Sequence, residues 1–333
     1  MFLFKLLLAL VLLIPPNAFS IPFAPTSIWN RTIPSTAVYT DVSDALWGSP
    51  ENSPAQIYLD LITILYVDPH LTPVNIRLDN NWDYPYRTQP ASGTLYQRKL
   101  GATAGVKEST TNSNGIVVIV DPLTGRTDEG GAMFRDQGSN DLLIFQDRPA
   151  LHYNVFTGSG LYDGVRGSGM SGLGGVIRAG EINTVIPHAI AIMTSGRIYS
   201  KNTCYIWPAT RCDSIAKDPT YGYKGPNNAY TLGTLLAIPS SINLSTIKLK
   251  TMQGYTIAIA AQKYGIYVVD SSAATGNRVG LSMDYQAAVT DLGLVQDPVT
   301  TYQSVDAKKI DGNAFQADII AILHKVKAVV NNK

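Results

Sequence analysis

The feature of this sequence that most constrains its fold is a series of short apolar runs, each five or six residues long and bounded by Gly, Pro or Asn. Runs of this length, rich in β-branched and aromatic residues, predict strands. They occupy residues 116–120, 142–146, 188–193, 204–209, 234–239 and 266–270. The middle of the chain is therefore predicted to be a β-sheet.

Three other segments have helical period: residues 53–66, 251–265 and 313–326. The first begins with Ser and Pro, which suit a helix start, and the second ends on Gly265. Helices at the margins and strands in the middle favour a mainly β fold, an antiparallel β-sandwich of jelly-roll type with a few peripheral helices. The length also admits two domains. Without a visible linker or repeat, residues 21–333 are predicted to be one β-rich domain, more variable up to about residue 110.

The N-terminal segment has the pattern of a secretory signal peptide. Lys5 precedes an apolar run over residues 6–14, and the small residues Ala18 and Ser20 have the spacing of a cleavage site. The run is about half of the roughly 20 residues that a membrane span needs, and no later segment supplies such a span. We expect cleavage after Ser20 and a secreted, extracellular protein.

Charge and composition narrow the possible partners. Without Lys5 the chain carries 25 basic and 25 acidic residues, a balance that does not favour binding to nucleic acid or anionic membranes. Charged residues make up only 15%, whereas Tyr occurs 18 times. Tyr and Trp stack on sugar rings while their polar atoms bond hydroxyl groups, so the composition fits an extracellular glycan as partner. No cofactor motif is present, and the oligomeric state is not predicted.

The two cysteines, Cys204 and Cys212, lie close together in a chain with an export signal. A disulfide is therefore predicted; a metal site is the weaker alternative, because no histidine has the spacing of a zinc ligand. Two sequons begin at Asn30 and Asn243, and their use depends on the host.

The stretch GVRGSGMSGLGGVIRAGEI, residues 164–182, is the main candidate for a site. It lacks the lysine of a phosphate-binding loop, and the segment after it, residues 176–182, is predicted to be a strand. A bulge at Gly180 and a short hairpin would then place Arg178, Glu181 and His188 together. A carboxylate beside an imidazole can set a general base, and the same pair can also be a structural hydrogen bond. These three residues are the candidate catalytic group.

Several motifs follow one another in an order that points to a family: LYDGVRGSGMSGLGGVIRAGEI, PHAIAI, CYIWPA, YG, LGTLLAIP, AAQKYGIYVVD and ILHKVKAVVNN. Over about residues 116–332 this set resembles a family of uncharacterised, secreted bacterial proteins found among carbohydrate-associated proteins. The resemblance marks Gly172, Gly174, Gly175, Arg178, Gly180, Glu181, His188, Ala189, Trp207, Pro208, Tyr264, Gly265 and Asp270. A weaker likeness is to jelly-roll alginate lyases, on IRAGEI, IPH and QKYGIY.

The chain departs from the family at Pro187, where members carry Arg before the histidine. If that Arg binds an acidic group, Arg166, Arg178 or Arg211 could replace it. The remaining candidate ligand-binding residues are Asp163, Arg166, Trp207, Tyr221 and Tyr223; for Asp163 a plain Asp-Gly turn is the alternative.

These observations predict a secreted protein that engages an extracellular polysaccharide. It is either a carbohydrate-active enzyme, a lyase or hydrolase using the Glu181 and His188 pair, or a non-catalytic glycan-binding or structural surface protein. Serine-hydrolase, zinc-protease and calcium-loop motifs are not found in the sequence.

Overall fold

The computed structural model of the protein describes residues 22–43, 45, 56–79, 90–101, 116–135, 139–161, 164–272, 278–294, 304–307 and 310–332. The predicted signal peptide, residues 1–20, and the candidate residue Asp163 lie outside these ranges.

The described part of the chain is mainly β. Its strands are β1 (Tyr39–Thr40), β2 (Gln56–Tyr66), β3 (Pro73–Asp79), β4 (Pro90–Lys99), β5 (Ile116–Val120), β6 (Arg126–Arg135), β7 (Leu142–Asn154), β8 (Ile190–Ser195), β9 (Leu235–Ala237), β10 (Ile266–Ser272), β11 (Arg278–Asp284), β12 (Ser304–Asp306) and β13 (Lys327–Val329). Its α-helices are α1 (Met252–Lys263), α2 (Tyr285–Thr290) and α3 (Ala314–Leu323). Short 3₁₀ helices cover Gly196–Ile198, Ser214–Lys217, Leu244–Ile247 and Asp311–Asn313.

The strands form one network in the order β1-β13-β9-β10-β8-β11-β2-β5-β6-β7-β3-β4, with β12 also paired to β2. Four pairs are parallel: β8 with β10, β2 with β11, β2 with β5, and β3 with β7. The expected antiparallel pairing therefore holds for only part of the sheet. The sandwich or jelly-roll arrangement is not confirmed and stays a prediction.

The prediction of a helix over residues 53–66 was wrong, because residues 56–66 form strand β2. This strand pairs in parallel with β5 on one side and β11 on the other, and its first half has buried side chains on both faces. A strand buried on both faces has a continuous apolar sequence, which periodicity alone does not distinguish from a buried helix. The two other predicted helices are confirmed as α1 and α3.

Two predicted strands were also wrong. In the segment 176–182 only Ile177 makes a bridge, to Met283, and the chain then turns. In the segment 204–209 only Tyr205 makes a bridge, to Leu232, and the disulfide and Pro208 follow within a few residues. The predicted strand at 116–120 is confirmed with the same ends, and those at 142–146, 188–193, 234–239 and 266–270 are confirmed with shifted ends.

The central strands bury both faces. On β8 and β10 alternate residues point to opposite sides, as strand geometry requires. Ile190 and Ile192 of β8 pack into a cluster with helices α1 and α3. Ala189 and Ala191 face the other cluster, where Trp29 and the glycine-rich segment cover the sheet. The glycine-rich segment therefore covers the face opposite these helices, whereas the turn that follows it reaches the helical side, where Gly180 bonds to Asp291 and Asn183 to Gln253.

Candidate functional site

The glycine-rich segment is packed tightly against its neighbours. A β-carbon at Gly174 would overlap the indole ring of Trp29. Gly175 has a φ of 70°, and a β-carbon there would lie 2.6 Å from the backbone nitrogen of Ala191. The backbone N–H of Ala191 donates to the carbonyl of Gly175 at 2.9 Å. These glycines permit a close approach between the loop, Trp29 and strand β8.

The buried carboxylate of Glu129, which the sequence analysis did not identify, binds the first half of the glycine-rich segment. The side chain of Glu129, on β6, accepts hydrogen bonds from the N–H groups of Val165 (3.1 Å) and Gly172 (2.8 Å) and from the hydroxyl of Ser171 (2.5 Å). Nothing in the local sequence of β6 marks this glutamate, because its partners lie about 40 residues further along the chain. Glu129 fixes the loop that carries the candidate site.

The structure brings Arg178, Glu181 and His188 together, although a turn does so rather than the predicted hairpin. The backbone N–H of Arg178 donates to Oε2 of Glu181 at 2.7 Å, and the guanidinium forms a salt bridge with Oε1. Nε2 of His188 lies 3.0 Å from Oε2 of the same carboxylate. Glu181 therefore holds both of the other side chains.

His188 is buried, and both of its ring nitrogens face oxygen acceptors. Nδ1 lies 2.8 Å from the carbonyl oxygen of Ala189, which can only accept, and Nε2 faces the Glu181 carboxylate. Both contacts are hydrogen bonds only when both nitrogens carry a proton. A general base needs an unprotonated nitrogen directed at its substrate, so this geometry favours a positioning role over base catalysis.

Charges around Glu181 keep it ionised. Burial opposes its ionisation, but the hydrogen bond and charge of His188, together with Arg178, outweigh burial and hold the pKa of this carboxyl below its usual value. Asp284, at the end of β11, behaves differently. Burial, aided by the negative charges of Asp291 and Glu181, raises the pKa of Asp284 to about 7 despite the hydrogen bond from Gln286 and the charge of Arg178.

Two pockets meet beside Arg178. The first, which we call the acid pocket, is a narrow depression with enclosed room of about 10 Å³ and is lined by Phe23, Trp29, Asn30, Leu173, Arg178 and His188 among others. The second, the apolar pocket, has enclosed room of about 20 Å³ and is lined by Pro22, Tyr66, Val120, Val155, Phe156 and Arg178 among others. Pro22, Leu173 and Arg178 line both.

Two buried polar atoms of residues lining the acid pocket have no hydrogen-bond partner within the described part of the chain: Nε of Arg178 and Oδ1 of Asn30. The orientation of the Asn30 amide is well determined, because its nitrogen donates to the carbonyls of Pro22, Phe23 and Ala24 at 2.9 to 3.2 Å. One orphan is a cationic donor and the other an acceptor. Together they suit a ligand with an anionic group and a hydroxyl.

The predicted ligand-binding residues do not gather at this site. Arg166 is fully buried; its guanidinium contacts Asp60 at 2.9 Å and Ser282 at 3.1 Å, so it stabilises the interior. Trp207 lies at the surface outside the lining of both pockets, with the guanidinium of Arg31 6.0 Å from its ring centre. Tyr223 packs edge-on against Tyr199, with 5.0 Å between the ring centres.

Tyr223 instead lies near a pair of carboxyl groups, Asp213 and Asp270, and Tyr221 belongs to the same loop, where its N–H donates to Asp218. A β-carbon at Gly167 would touch Oδ1 of Asp270 and lie 3.0 Å from Oδ2 of Asp213, and the hydroxyl of Ser271 donates to that same Oδ2. Burial, with the negative charge of Asp213, raises the pKa of Asp270 to about 7. Asp270 lies near the C-terminal end of β10, which runs parallel to β8. Asp284 is the last residue of β11, which runs antiparallel to β8, so the two aspartates lie at opposite ends of these strands.

The predicted disulfide is confirmed. Cys204 and Cys212 are bonded, with their Cα atoms 5.7 Å apart. In the described ranges, no group of three or more His, Cys, Asp or Glu side chains is arranged to hold a metal ion. None of the helices in the described part of the chain has the length and apolar character needed to cross a lipid bilayer.

No family model, no curated protein and no solved structure gives a significant match. The resemblances given by the motifs therefore stay predictions, and the function has to be inferred from the site itself.

Proposed function

We propose that the protein is exported and binds an acidic glycan, with the acid pocket receiving a sugar that carries a carboxylate. The observation that supports this most is the pair of orphan polar atoms, Nε of Arg178 and Oδ1 of Asn30, on residues lining one pocket. A carboxylate would accept from the guanidinium, and a sugar hydroxyl would donate to the amide oxygen.

In this proposal the Glu181 and His188 pair does not act as the base. Glu181 accepts from Arg178 and His188 and fixes both at the edge of the pocket. Trp29 and Phe23 are buried behind the pocket and help to fix its floor, so the proposal places the sugar at the pocket's solvent edge. A sandwich or jelly-roll arrangement, common to many glycan-binding proteins, remains part of the proposal rather than of the observed fold.

The test is binding to a panel of oligosaccharides, measured by calorimetry. Oligosaccharides with uronate residues should bind, and neutral ones of the same length should not. Arg178→Gln should weaken uronate binding at least about tenfold, as expected for a charge-assisted contact. The matched control is Arg197→Gln, which changes an exposed arginine outside both pockets. Equal binding of neutral and acidic oligosaccharides would contradict the proposal.

One observation favours a second candidate, catalysis on the bound glycan. Arg178 acts on both Glu181 and Asp284, and the pKa values of the two carboxyls are displaced in opposite directions, to below the usual value for Glu181 and to about 7 for Asp284. Such a pair can divide the roles of base and acid. Assays for reducing ends and for unsaturated products on the same panel separate the two candidates: product release that Asp284→Asn abolishes supports an enzyme, and binding without product supports a glycan-binding protein.

A further inference from the structure

The solvent-facing side of helix α1 is mainly apolar. Its exposed positions, which we call the α1 ridge, follow one another at helical spacing along one side: Met252, Tyr255, Ile259 and Lys263. Met252 is 60% exposed, Tyr255 48% and Ile259 41%. A surface helix normally carries charged and polar residues on this side, and a helix that is apolar all round is normally buried. The ridge therefore has the composition of a contact surface.

The other side of α1 is fixed to the protein, so the ridge cannot turn inward. Ile257, Ala258 and Ala261 are buried in the cluster that also contains residues of α3 and β8. The side-chain amide of Gln262 donates to the carbonyls of Pro239 at 3.2 Å and Ile242 at 2.9 Å. The ridge is consequently a rigid, convex surface.

A neighbouring turn widens this surface. Val185 is 62% exposed, and it follows Asn183, whose side-chain oxygen accepts from the amide of Gln253 at 2.8 Å. This hydrogen bond holds the turn beside the first turn of α1. The apolar surface thus extends beyond the helix itself.

Lysines flank the ridge at both ends. Lys248 and Lys250 precede the helix, and Lys263 is its last residue. All three are exposed, and none of them forms a salt bridge within the described ranges. Helix α1 contains no acidic residue, and Asp318, which accepts from the N–H groups before the helix, is buried. The exposed charge around the ridge is therefore positive.

We infer that the α1 ridge docks on an anionic lipid surface. Met252, Tyr255 and Ile259 enter the boundary between headgroups and acyl chains, and the lysines contact the lipid phosphates. Apolar side chains flanked by lysines on an exposed helix are the pattern of helices that lie in the plane of a membrane interface. The ring of Tyr and the long stem of Lys both suit such an interface. The charge of the whole chain does not reveal this surface, because it averages over all 25 basic and 25 acidic residues that remain without Lys5.

A second copy of the chain fits the ridge less well. A twofold dimer brings the same surface of both subunits together. Two antiparallel ridges would place Lys263 of each copy near Lys250 of the other, and the like charges would repel. A stable interface also buries about 800 Å² per subunit, whereas half-exposed side chains of this size supply about 100 Å² each. Charge complementarity therefore favours the lipid surface.

The test is co-sedimentation of the full chain with two kinds of vesicle, phosphatidylcholine alone and phosphatidylcholine mixed with phosphatidylglycerol. We expect at least about tenfold stronger binding to the mixed vesicles, because each lysine near an anionic surface adds affinity, and this preference should decrease with added salt. Residues 6–14 are apolar and should associate with both kinds of vesicle alike. The ratio between the two therefore reports the lysines.

Two double variants assign the binding to the ridge. Met252→Ser with Ile259→Ser should weaken binding to the mixed vesicles at least about tenfold, because two apolar side chains no longer enter the lipid. Lys250→Gln with Lys263→Gln should weaken it by about the same factor and leave binding to phosphatidylcholine unchanged.

The matched controls are one exposed apolar residue and one exposed lysine of other segments. Leu123→Ser, at a side chain that is 74% exposed in the turn between β5 and β6, should change binding to neither vesicle. Lys217→Gln should also change neither. The melting temperature of each variant is measured alongside, and we expect no change for Ile259→Ser, since Ile and Ser have similar helix propensities. If the serine pair does not fold, the lysine pair still carries the test.

Equal binding to both kinds of vesicle, or ridge variants that bind like wild type, would overturn the inference. Light scattering without lipid tests the second copy. A monomer agrees with the lipid surface, whereas a dimer that Met252→Ser with Ile259→Ser dissociates would assign the ridge to a subunit contact and overturn it as well. None of these outcomes affects the proposal for Arg178, which is tested by oligosaccharide binding.

Discussion

His188 makes its two hydrogen bonds within the protein, to Ala189 and Glu181. Replacing it by alanine removes both and leaves a buried carbonyl and part of a buried carboxylate without a partner. We expect His188→Ala to lower the free energy of unfolding by about 1 to 3 kcal/mol, measured by urea denaturation. His324→Ala, at an exposed histidine, is the control and should change it by less than about 0.5 kcal/mol. An unchanged midpoint for His188→Ala would contradict the positioning role.

Asp270 gives a prediction about pH. Burial and the charge of Asp213 raise its pKa in the folded protein to about 7, whereas an unfolded aspartate has a pKa of about 3.9. The folded state therefore binds the proton more tightly, and ionisation of Asp270 costs stability increasingly as the pH rises from about 4 to about 7. Asparagine does not ionise, so Asp270→Asn should gain stability relative to wild type over this range, by about 2 to 4 kcal/mol.

The measurement is denaturation of both proteins at several pH values. The control is Asp311→Asn, an exposed position where asparagine tolerates the positive φ of 46°. A difference between Asp270→Asn and wild type that does not change between pH 4 and pH 8 would show that the carboxyl titrates normally.

Among the elements, the glycine-rich segment is expected to be the least tolerant of added atoms. A β-carbon at Gly174 would overlap the ring of Trp29, whose N–H also donates to the carbonyl of Gly160. Gly174→Ala should destabilise the fold by about 1 to 3 kcal/mol through overpacking. Gly93→Ala is the control, since nothing lies within 4 Å of a β-carbon at that position of β4. Equal melting temperatures for the two variants would show that the segment is a loose loop.

The same elements show what the sequence could predict. Strands β5 and β10 were recognisable because each is a short apolar run between turn residues. Strand β2 was not, since burial on both faces makes residues 57–62 apolar except for Asp60, a pattern that also fits a helix. The segment 176–182 alternates like a strand, but its turn is fixed by hydrogen bonds from Gly180 to Asp291 and between Arg178 and Glu181, contacts that depend on tertiary structure.

At the scale of the whole molecule, the proximity of Arg178, Glu181 and His188 was predictable because only six residues separate the last two. The rest of the site was not. Asn30, Tyr66, Phe156 and Asp284 come from four separate parts of the chain, and the sheet order that assembles them has no local signal. Likewise the ligand-binding role predicted for Arg166 rested on its charge, whereas its complete burial beside Asp60 is a property of the fold.

The C-terminal strand gives a prediction at this scale. β13 pairs with both β1 and β9, and the side chain of Asn331 contacts the backbone at Thr36 and Val38. Deletion of residues 327–333 should expose the edge of β9 and cause aggregation, because an unpaired edge is open to pairing with other chains. Deletion of Lys333 alone is the control. A monomeric shortened protein with the wild-type melting temperature, measured by light scattering and calorimetry, would contradict this.

The order of the strands also has a consequence for how the molecule is made. Leu59 of β2 pairs with Leu281 of β11, which lies more than two hundred residues later in the sequence. Strand β1 pairs with β13, an even larger separation. Pairing at such separations is slow, because the chain loses the entropy of closing a long loop before the two strands make any favourable contact. The first half of the chain therefore cannot complete its sheet while the ribosome is still producing the second half. Local pairs such as β5 with β6 need no such closure, so the pairing of β2 with β11 is expected to be a late step of folding.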